Sequence, residues 1–192
     1  MIKNAESRWF IVISGPPASG KTTLGRKIAR ELYLPFYTKD DFKELIFDSL
    51  GWDDRNWSKG VGRASMNLLY LILEKNLAVG VPIVIETAFY REFESKRLTK
   101  IIKKFKAKPL QIYCYTNEKL LRRRFLERVV DGERHPGHGD ISVAEKEYSK
   151  IDIFDTYGIL EIPGILIKLD TSDFNQINFS SILDRIKRFC MK

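Results

Sequence analysis

The sequence contains little cysteine, histidine and proline, and it has no long hydrophobic run. Among its 192 residues are 2 cysteines, 2 histidines and 7 prolines. Cys114 and Cys190 are far apart and lack the paired spacing of a metal site, so we expect both to be reduced packing residues. Neither a secretory signal nor an apolar run of about 18 residues is evident, which argues against a membrane-spanning protein. We expect a cytoplasmic protein without a disulfide.

The sequence also lacks internal repeats, low-complexity tracts and linkers rich in proline, glycine or serine. Its composition, with 44% hydrophobic and 30% charged residues, is that of a globular protein with a sizeable core. A chain of this length suits one domain. We therefore expect a single domain over residues 1–192.

Positive charge is in excess, and the formal net charge is +8. Much of the excess lies in five lysines that alternate with apolar residues, as on the solvent side of an amphipathic helix. We interpret them as a solvated helix face. The alternative is a nucleic-acid-binding module, which predicts ATP-independent binding that weakens steeply with salt. The five are Lys100, Lys103, Lys104, Lys106 and Lys108.

The most informative motif is a glycine-rich loop, Gly15-x-x-x-x-Gly20-Lys21-Thr22. Its glycines allow successive backbone N–H groups to turn toward one anion. Lys21 adds a cation at the outer phosphates, and the Thr22 hydroxyl is a magnesium ligand. The motif therefore predicts a nucleotide bound with Mg²⁺. The predicted nucleotide-binding residues are Gly15, Pro16, Pro17, Ala18, Ser19, Gly20, Lys21, Thr22 and Thr23.

The residues on either side of this loop have the patterns of a strand and a helix. An apolar run, Trp9–Ser14, precedes the loop, and Leu24, Ile28 and Leu32 repeat at every fourth position after it. Strand, loop and helix in this order are the context that a phosphate-binding loop requires. An ordinary glycine-rich turn between core elements is the alternative.

The rest of the chain alternates short apolar runs with longer helical patterns. This order predicts an α/β fold, a three-layer doubly wound sheet of about five parallel strands with flanking helices. In such sheets ligands bind at the carboxyl ends of the strands. The predicted strands are 9–14, 35–38, 82–87, 110–115 and 164–169, and the predicted helices are 21–33, 41–50, 59–79, 91–106, 117–131, 142–157 and 176–190.

Acidic residues follow three of these predicted strands. Asp40 and Asp41 follow the second, where a carboxylate could accept a proton from an acceptor hydroxyl. An aspartate before a helix is also a common N-cap, which is the alternative for either residue. Glu86, with Thr87 beside it, ends an apolar strand, where it could hold magnesium through water or bind the acceptor. We expect the segment 170–172, after the last strand, near the nucleotide base.

Basic residues are concentrated between positions 122 and 138. Arg124 and Arg128 are four apart on one helix face, so both could reach one triphosphate. Surface pairing with glutamates of the same helix is the alternative. Arg134, in the loop that follows, could be a third clamp. His135 and His138 suggest a shaped turn of a lid, since two ligands alone do not support a metal site.

Four segments together resemble one group of enzymes. They are GPPASGKTT at 15–23, TKDDFKE at 38–44, IVIETAF at 83–89 and LRRRFLER at 121–128. Over nearly the whole chain, the sequence resembles the small P-loop kinases of the polynucleotide-kinase, chloramphenicol-phosphotransferase and zeta-toxin type, a group of AAA-like ATP-binding proteins. The resemblance implies transfer of the γ-phosphate of ATP, with Mg²⁺, to a hydroxyl of a small molecule or a nucleic-acid 5′ end. A lid at about 122–141 would close over the nucleotide.

The same resemblance implies a role for individual residues. Two positions depart from the usual pattern, because Lys43 is normally arginine, which has the planar fork that lysine lacks, and Glu86 is more often aspartate. The implied roles are Asp40 as general base; Lys21, Arg124 and Arg128 on the transferring phosphate; Arg124 also on the nucleotide; Asp40, Lys43, Glu86 and Thr87 on the acceptor; and Thr22 and Glu86 on Mg²⁺.

The acceptor is expected in the region 40–65. Trp52 and Trp57 in this region could stack on a base or sugar, or fill the core beneath a helix. A second class of function stays open, a non-transferring ATP-binding protein or regulatory ATPase. It predicts ATP affinity without any acceptor.

Overall fold

The computed structural model describes residues 8–132, 134–139 and 153–190. They form a five-stranded sheet in which every neighbouring pair of strands is parallel, in the order β2-β3-β1-β4-β5. Helices cover both faces of the sheet, so the predicted three-layer α/β fold is confirmed. The strands are β1 (Trp9–Ser14), β2 (Phe36–Thr38), β3 (Ile83–Glu86), β4 (Lys108–Tyr115) and β5 (Ile165–Asp170).

The helices follow the predicted order, with shifted starts. The predicted helix 142–157 lies outside the described residues except for its last turn. None of the helices in the described ranges is long and apolar enough to cross a bilayer. The helices are α1 (Lys21–Leu32), α2 (Lys39–Leu50), α3 (Arg55–Val79), α4 (Arg91–Phe105), α5 (Glu118–Val130), the single turn α6 (Ile153–Thr156) and α7 (Phe179–Cys190), with 3-10 turns at Pro136–His138 and Phe174–Gln176.

Local caps explain where α2 and α3 begin. The Thr38 hydroxyl accepts a hydrogen bond from the backbone N–H of Asp41, so α2 starts two residues before its predicted start at 41. The Asp54 carboxylate accepts from the N–H of Trp57, so α3 starts at Arg55 rather than at 59. Both are side-chain N-caps of the ordinary kind. The caps add two residues to α2 and four to α3, and of these Lys39, Asp40 and Arg55 line the site.

The alternation of side chains along β1 divides the core into two layers. Phe10 and Val12 contact the core that α3 and α4 cover, and Ile11 and Ile13 contact the core that α1 and α7 cover. All four are fully buried. Each such burial contributes about 1.5–3 kcal/mol toward folding. A strand that is apolar on both faces is typical of the centre of a parallel sheet.

The strand registers bring the polar residues to one edge of the sheet. Ile13, next to the end of β1, is aligned with Glu86 at the end of β3. Glu86 is aligned with Thr38 at the end of β2, and Tyr115 with Asp170 at the ends of β4 and β5. Because all strands are parallel, every loop that follows a strand leaves from this edge. The candidate site lies there.

Candidate active site

The phosphate loop, between β1 and α1, has a backbone that only glycine fits at two positions. Gly15 has φ of 135°, and a Cβ built on it would lie 2.0 Å from the carbonyl oxygen of Cys114. Gly20 has φ of 75°, and its Cβ would lie 2.2 Å from Cζ of Phe174. Ala18 also has a positive φ, 63°, which is uncommon for a residue with a side chain and typical of functional loops. The glycines of the motif are therefore required by both conformation and space.

The first residue of α1, Lys21, brings a buried cation to the loop. Its side chain is 6% exposed, and Nζ donates to the carbonyl oxygen of Pro16 at 2.7 Å. Burial lowers the pKa of Lys21, while the nearby Glu86 carboxylate opposes that shift. No side chain caps the N-terminus of α1 and its first turn has no acidic residue, so the N–H groups and the helix dipole add to the lysine charge. These groups fit the phosphates of a nucleotide.

A pair of oxygen ligands lies beside the loop. The Thr22 hydroxyl donates to Oε2 of Glu86 at 2.8 Å, and the Glu86 side chain is 5% exposed. Burial raises the pKa of Glu86, opposed by Lys21 and by the Thr22 hydrogen bond. Mg²⁺ is usually held by one or two protein oxygens together with phosphates and water, and within the described residues there is no cluster of three metal-binding side chains. The donor set therefore fits Mg²⁺ bound with a nucleotide.

Asp40, the predicted general base, lies in the first turn of α2 and does not cap it, since Thr38 does. Its Oδ2 accepts a hydrogen bond from Nη1 of Arg134 at 2.8 Å, and its side chain is 43% exposed. Asp41 instead lies 3.9 Å from the guanidinium of Arg26. The two adjacent aspartates thus have different surroundings, and Asp40 is the one that lines the cavity beside the phosphate loop.

Opposing effects act on the pKa of Asp40. Burial alone would raise it, but the charges of Arg134, His138 and Lys39 lower the pKa of Asp40 well below its usual range. The carboxylate is therefore ionised at neutral pH and can accept a hydrogen bond from an acceptor hydroxyl. A strongly lowered pKa also makes it a weak base while Arg134 remains in contact.

The loop at residues 134–139 is held against α2 by its two histidines. His138 is 3% exposed, with Nε2 2.9 Å from Oε1 of Glu44, and His135 Nε2 lies 3.2 Å from Oδ1 of Asp48. The two rings enclose the buried Phe47, His135 stacked at 5.2 Å and His138 edge-on at 5.8 Å between centroids. We call these contacts the histidine clasp. The clasp fixes the loop that carries Arg134, and both histidines contact protein groups.

The predicted lid arginines separate into two places. Arg128 lines the cavity beside Lys21 and Asp40. Arg124 instead donates through Nη2 to the carbonyl oxygens of Thr171 and Ser172, at 3.0 Å each. The surface alternative describes their neighbours, because Arg122 pairs with Glu118 and Arg123 with Glu127.

Arg124 belongs to a group of contacts around the segment after β5. Its guanidinium lies 5.7 Å from the ring centroid of Phe174, which packs on Gly20. The Thr171 hydroxyl donates to the carbonyl oxygen of Ser19 at 2.8 Å. The segment 170–172 thus contacts the phosphate loop directly, and its place near the nucleotide base stays a prediction.

Two cavities share a wall at the carboxyl edge of the sheet. The first, about 200 Å³, is lined by Lys21, Thr22, Glu86, Asp40 and Arg128, among others. The second, about 340 Å³, lies between α2 and α3. Lys39, Lys43, Arg55, Thr87, Ala88 and Tyr90 line both. Of the predicted acceptor residues, Lys43 and Thr87 therefore lie on the shared wall, whereas Asp40 and Glu86 line the smaller cavity together with Lys21 and Thr22.

Lys43 is a buried cation in the shared wall. It is 6% exposed, and its Nζ donates to the Ser58 hydroxyl at 3.0 Å and lies 5.3 Å from the ring centroid of Phe47. Burial, together with the charges of Lys39 and of two arginines, lowers the pKa of Lys43 to about 8, although Asp40 opposes this shift. The ammonium group is still mostly charged at neutral pH.

The two tryptophans of the region 40–65 lie away from the core. Trp52 is 51% exposed and its ring lies edge-on to His135 at 4.8 Å, and Trp57 is 41% exposed and donates through Nε1 to the carbonyl oxygen of Gly51. They pack around the end of α2 and the histidine clasp. Filling the core beneath a helix, one of the two alternatives, is therefore wrong for both.

Two residues of the site, Phe174 and Lys59, were missed by the sequence analysis. Phe174 lies on the phosphate loop without any motif that marks it. Lys39 and Lys43 are four apart on α2, and Arg55, Lys59 and Arg63 are four apart on α3. This i, i+4 spacing of cations on two helices was the available signal, and it marks one face of each helix. All five line the larger cavity.

Comparisons with known proteins identify the family. Residues 10–145 match a family model described as an AAA domain. A candidate kinase from Chloroflexus aurantiacus J-10-fl is 33% identical, with a TM-score of 0.83 over 95% of this chain and 98% of the other. No curated protein matches the chain.

More distant solved structures share the fold. The Chaetomium thermophilum Kti12, solved with ADP-AlF3, is 19% identical with a TM-score of 0.60, over 93% of this chain and 97% of the other. The APS kinase CysC of Mycobacterium tuberculosis is 15% identical with a TM-score of 0.55, over 97% and 99%. The chain therefore belongs to the AAA-domain family, and its fold is that of the small P-loop kinases.

Proposed function

We propose that the protein is a Mg²⁺- and ATP-dependent phosphotransferase with a hydroxyl-bearing acceptor. The observation that carries the proposal is the smaller cavity, whose lining includes the phosphate-binding Lys21 and the Thr22–Glu86 oxygen pair as well as the carboxylate of Asp40. Phosphoryl transfer needs little more than positive charge, in-line positioning and a carboxylate for the acceptor hydroxyl. All of these chemical groups line one space.

In the proposed reaction, Asp40 accepts the proton of the acceptor hydroxyl as the hydroxyl oxygen forms a bond to the γ-phosphorus. The bond from that phosphorus to the β,γ-bridging oxygen breaks, and its electron pair stays on ADP. Lys21 and Arg128 stabilise the charge on the transferring group, and Arg124 contacts the nucleotide. Mg²⁺, held by Thr22 and Glu86, would neutralise phosphate charge.

The contact between Arg134 and Asp40 also has a place in this proposal. While Arg134 holds the carboxylate, the pKa of Asp40 is far below that of an effective base. We propose that part of the lid, the loop at residues 134–139, shifts when nucleotide and acceptor bind, so that the histidine clasp loosens and Arg134 turns from Asp40 toward the phosphates. Lids that close over substrates commonly complete a catalytic site in this way.

The same contact favours a second candidate function, a non-transferring ATPase. A carboxylate paired permanently with Arg134 would be too weak a base for acceptor activation, and only binding or slow hydrolysis of ATP would remain. The two functions differ in one measurement. A phosphotransferase produces a labelled acceptor from γ-labelled ATP, whereas the ATPase releases only inorganic phosphate.

The experiment that tests the base compares two adjacent aspartates. In a γ-phosphate transfer assay on a panel of hydroxyl compounds, we expect Asp40→Asn to lower transfer by about 10²- to 10⁴-fold. The matched Asp41→Asn variant removes the same charge one residue away, beside Arg26, and should stay within about threefold of wild type. Loss below about tenfold in Asp40→Asn would reject the general-base role.

A further inference from the structure

We infer that the acceptor is a small hydroxyl compound that carries a phosphate monoester, which binds between α2 and α3 at Lys43, Lys39 and Arg55. The inference rests on the proposed function and names the substrate class of that site. It starts from the larger cavity, about 340 Å³ in volume, a size suited to a small molecule.

The charge of the cavity wall is strongly unbalanced. Five cationic side chains line it, Lys39, Lys43, Arg55, Lys59 and Arg63, against one carboxylate, Glu94, among the described residues. Oε2 of Glu94 already accepts a hydrogen bond from the Tyr70 hydroxyl. Like charges close together repel one another, so an anion bound beside Lys39 and Lys43 would reduce the repulsion between them.

Lys43 is the most deeply buried of the cations that line the larger cavity. A buried ammonium group is normally paired with a carboxylate, because desolvation of a single charge is expensive. Among the described residues Lys43 has no carboxylate within ion-pair distance, and its contacts are a hydroxyl and an aromatic face. Its side chain lines both cavities. A cation kept in such a place is suited to an anionic ligand.

Lys39 converges with Lys43 from one turn away. A Cβ built on Gly62 of α3 would lie 3.8 Å from both Nζ of Lys39 and Cε of Lys43. The two lysines therefore reach from α2 to the facing surface of α3, where Arg55 begins the helix. Two ammonium groups and a guanidinium around one space match the double charge of a phosphate monoester better than the single charge of a carboxylate.

The placement of the anion also suits the chemistry. Asp40 is adjacent to Lys39 in sequence and lines the smaller cavity, which shares Lys39, Lys43 and Arg55 with the larger one. A ligand whose phosphate is held at these cations can present a hydroxyl toward Asp40 and the phosphate loop. The bound anion thus orients the acceptor hydroxyl. Correct orientation of two reactants contributes a large part of the rate enhancement of a bimolecular transfer.

The test measures binding rather than turnover. The full chain is saturated with a non-hydrolysable ATP analogue and Mg²⁺, so that the phosphate loop is blocked, and is titrated calorimetrically with matched pairs. The pairs are ribose 5-phosphate against ribose and glycerol 3-phosphate against glycerol, with gluconate as a carboxylate probe. We expect the phosphorylated member to bind at least about tenfold more tightly than its neutral partner. Gluconate should resemble the neutral compounds more closely than the phosphorylated ones.

Two variants assign the effect to the site. Lys43→Met conserves volume and should remove most of the preference for phosphate. If that variant unfolds, Lys39→Met gives the same test, because the Lys39 side chain is only half-buried. Lys103→Met makes the same substitution on the exposed face of α4 and should retain the full preference. Lys103→Met should bind the ATP analogue as wild type does, and all three variants are titrated at a saturating concentration of the analogue.

The outcomes separate this inference from the proposed function. Three results would overturn the inference. They are equal affinity for the phosphorylated and neutral members of a pair, binding of gluconate as tight as that of the phosphorylated compounds, and a preference for phosphate that survives both Lys43→Met and Lys39→Met. Transfer to a neutral acceptor would keep the kinase function and reject the phosphate-bearing class. Tight, Lys43-dependent binding without any transfer would support the anion site and leave only the ATPase as the function.

Discussion

The charged groups on the two sides of the candidate site differ in their partners. We call the phosphate loop with Thr22 and Glu86 the nucleotide wall, and Lys39, Lys43 and Arg55 between α2 and α3 the acceptor wall. On the nucleotide wall, two polar side chains contact complementary groups within the protein, Lys21 a carbonyl oxygen and Thr22 the Glu86 carboxylate. On the acceptor wall, the contacts of Lys43 with described residues are a hydroxyl and an aromatic ring, and the charges of Lys39, Arg55 and Arg134 act on it as well as that of Asp40. The nucleotide wall is one continuous segment with one flanking strand, whereas the acceptor wall combines two helices. The nucleotide wall has the chemistry expected of a phosphate-binding loop, and the acceptor wall is where we propose that specificity for the acceptor lies.

The largest effect should come from the nucleotide wall. Lys21→Met removes the cation on the transferring phosphate, and we expect transfer to fall by about 10²- to 10³-fold, as when one preorganised donor is lost. Lys27→Met is the matched control, because Lys27 is an exposed lysine of the same helix that lies over the Phe179 ring. Transfer is measured in single turnover with saturating ATP. Equal losses in both variants would mean that helix charge, and not the loop lysine, is responsible.

Glycine substitutions test the same wall by stability. Gly15→Ala places a methyl group 2.0 Å from the Cys114 carbonyl oxygen at a φ of 135°, and we expect about 3 kcal/mol or more of lost unfolding free energy. Gly60→Ala is the contrasting change, since Gly60 lies in α3 and its nearest neighbour would be 3.9 Å away. There alanine should stabilise by about 0.5–1 kcal/mol. Urea unfolding of both variants gives the comparison, and a Gly15→Ala protein as stable as wild type would show that the loop can move.

The next effect concerns pH and the acceptor wall. With a pKa of about 8, Lys43 loses its charge as the pH rises through 8. The value of kcat/KM for a phosphate-bearing acceptor should therefore fall above that pH. It should then level off, because the remaining cations still bind the phosphate. The second ionisation of a phosphate monoester, with a pKa of about 6, lies below this window. Lys43→Met should remove the inflection, and a profile that is flat in wild type would contradict the assignment. The charged and polar groups that face Lys43 are Lys39 and Asp40 on α2, Arg55 and Ser58 on α3, and Arg134 in the loop.

The same ionisation predicts how stability depends on pH. The pKa of Lys43 is lower in the folded protein than its ordinary value of 10.5, so the unfolded chain binds more protons between the two values. The free energy of unfolding contributed by Lys43 therefore rises as the pH increases from about 8 toward 10.5. Denaturation of wild type and Lys43→Met across this range measures the effect. The free energy of unfolding of wild type should rise relative to that of Lys43→Met toward the upper end.

The sequence predicted the two walls unequally, and the reason is physical. The phosphate loop is local, so spacing alone identified Gly15, Lys21 and Thr22, and apolar runs identified the strands whose ends carry Asp40 and Glu86. The start of α3 was missed, because the Asp54 cap outweighs helix propensity there. Contacts between distant segments, such as Arg134 with Asp40 or Phe174 on Gly20, depend on how loops fold back on the sheet. No short-range pattern contains that information.

The smallest predicted effect concerns the histidine clasp, which joins the acceptor wall to the loop at residues 134–139. Glu44→Ala and His138→Ala each remove the part-buried contact between these residues, and their double-mutant cycle should show a coupling of about 1 kcal/mol in unfolding free energy. The cycle of His135 with Asp48 is the control in the same loop, where Asp48 is 68% exposed and the coupling should be below about 0.5 kcal/mol. If the clasp positions Arg134, only the first pair should also change the acid side of the rate profile, because the pKa of Asp40 would rise as Arg134 is released. Equal couplings in both pairs, with unchanged profiles, would mean that the loop rests on α2 without any influence on Asp40.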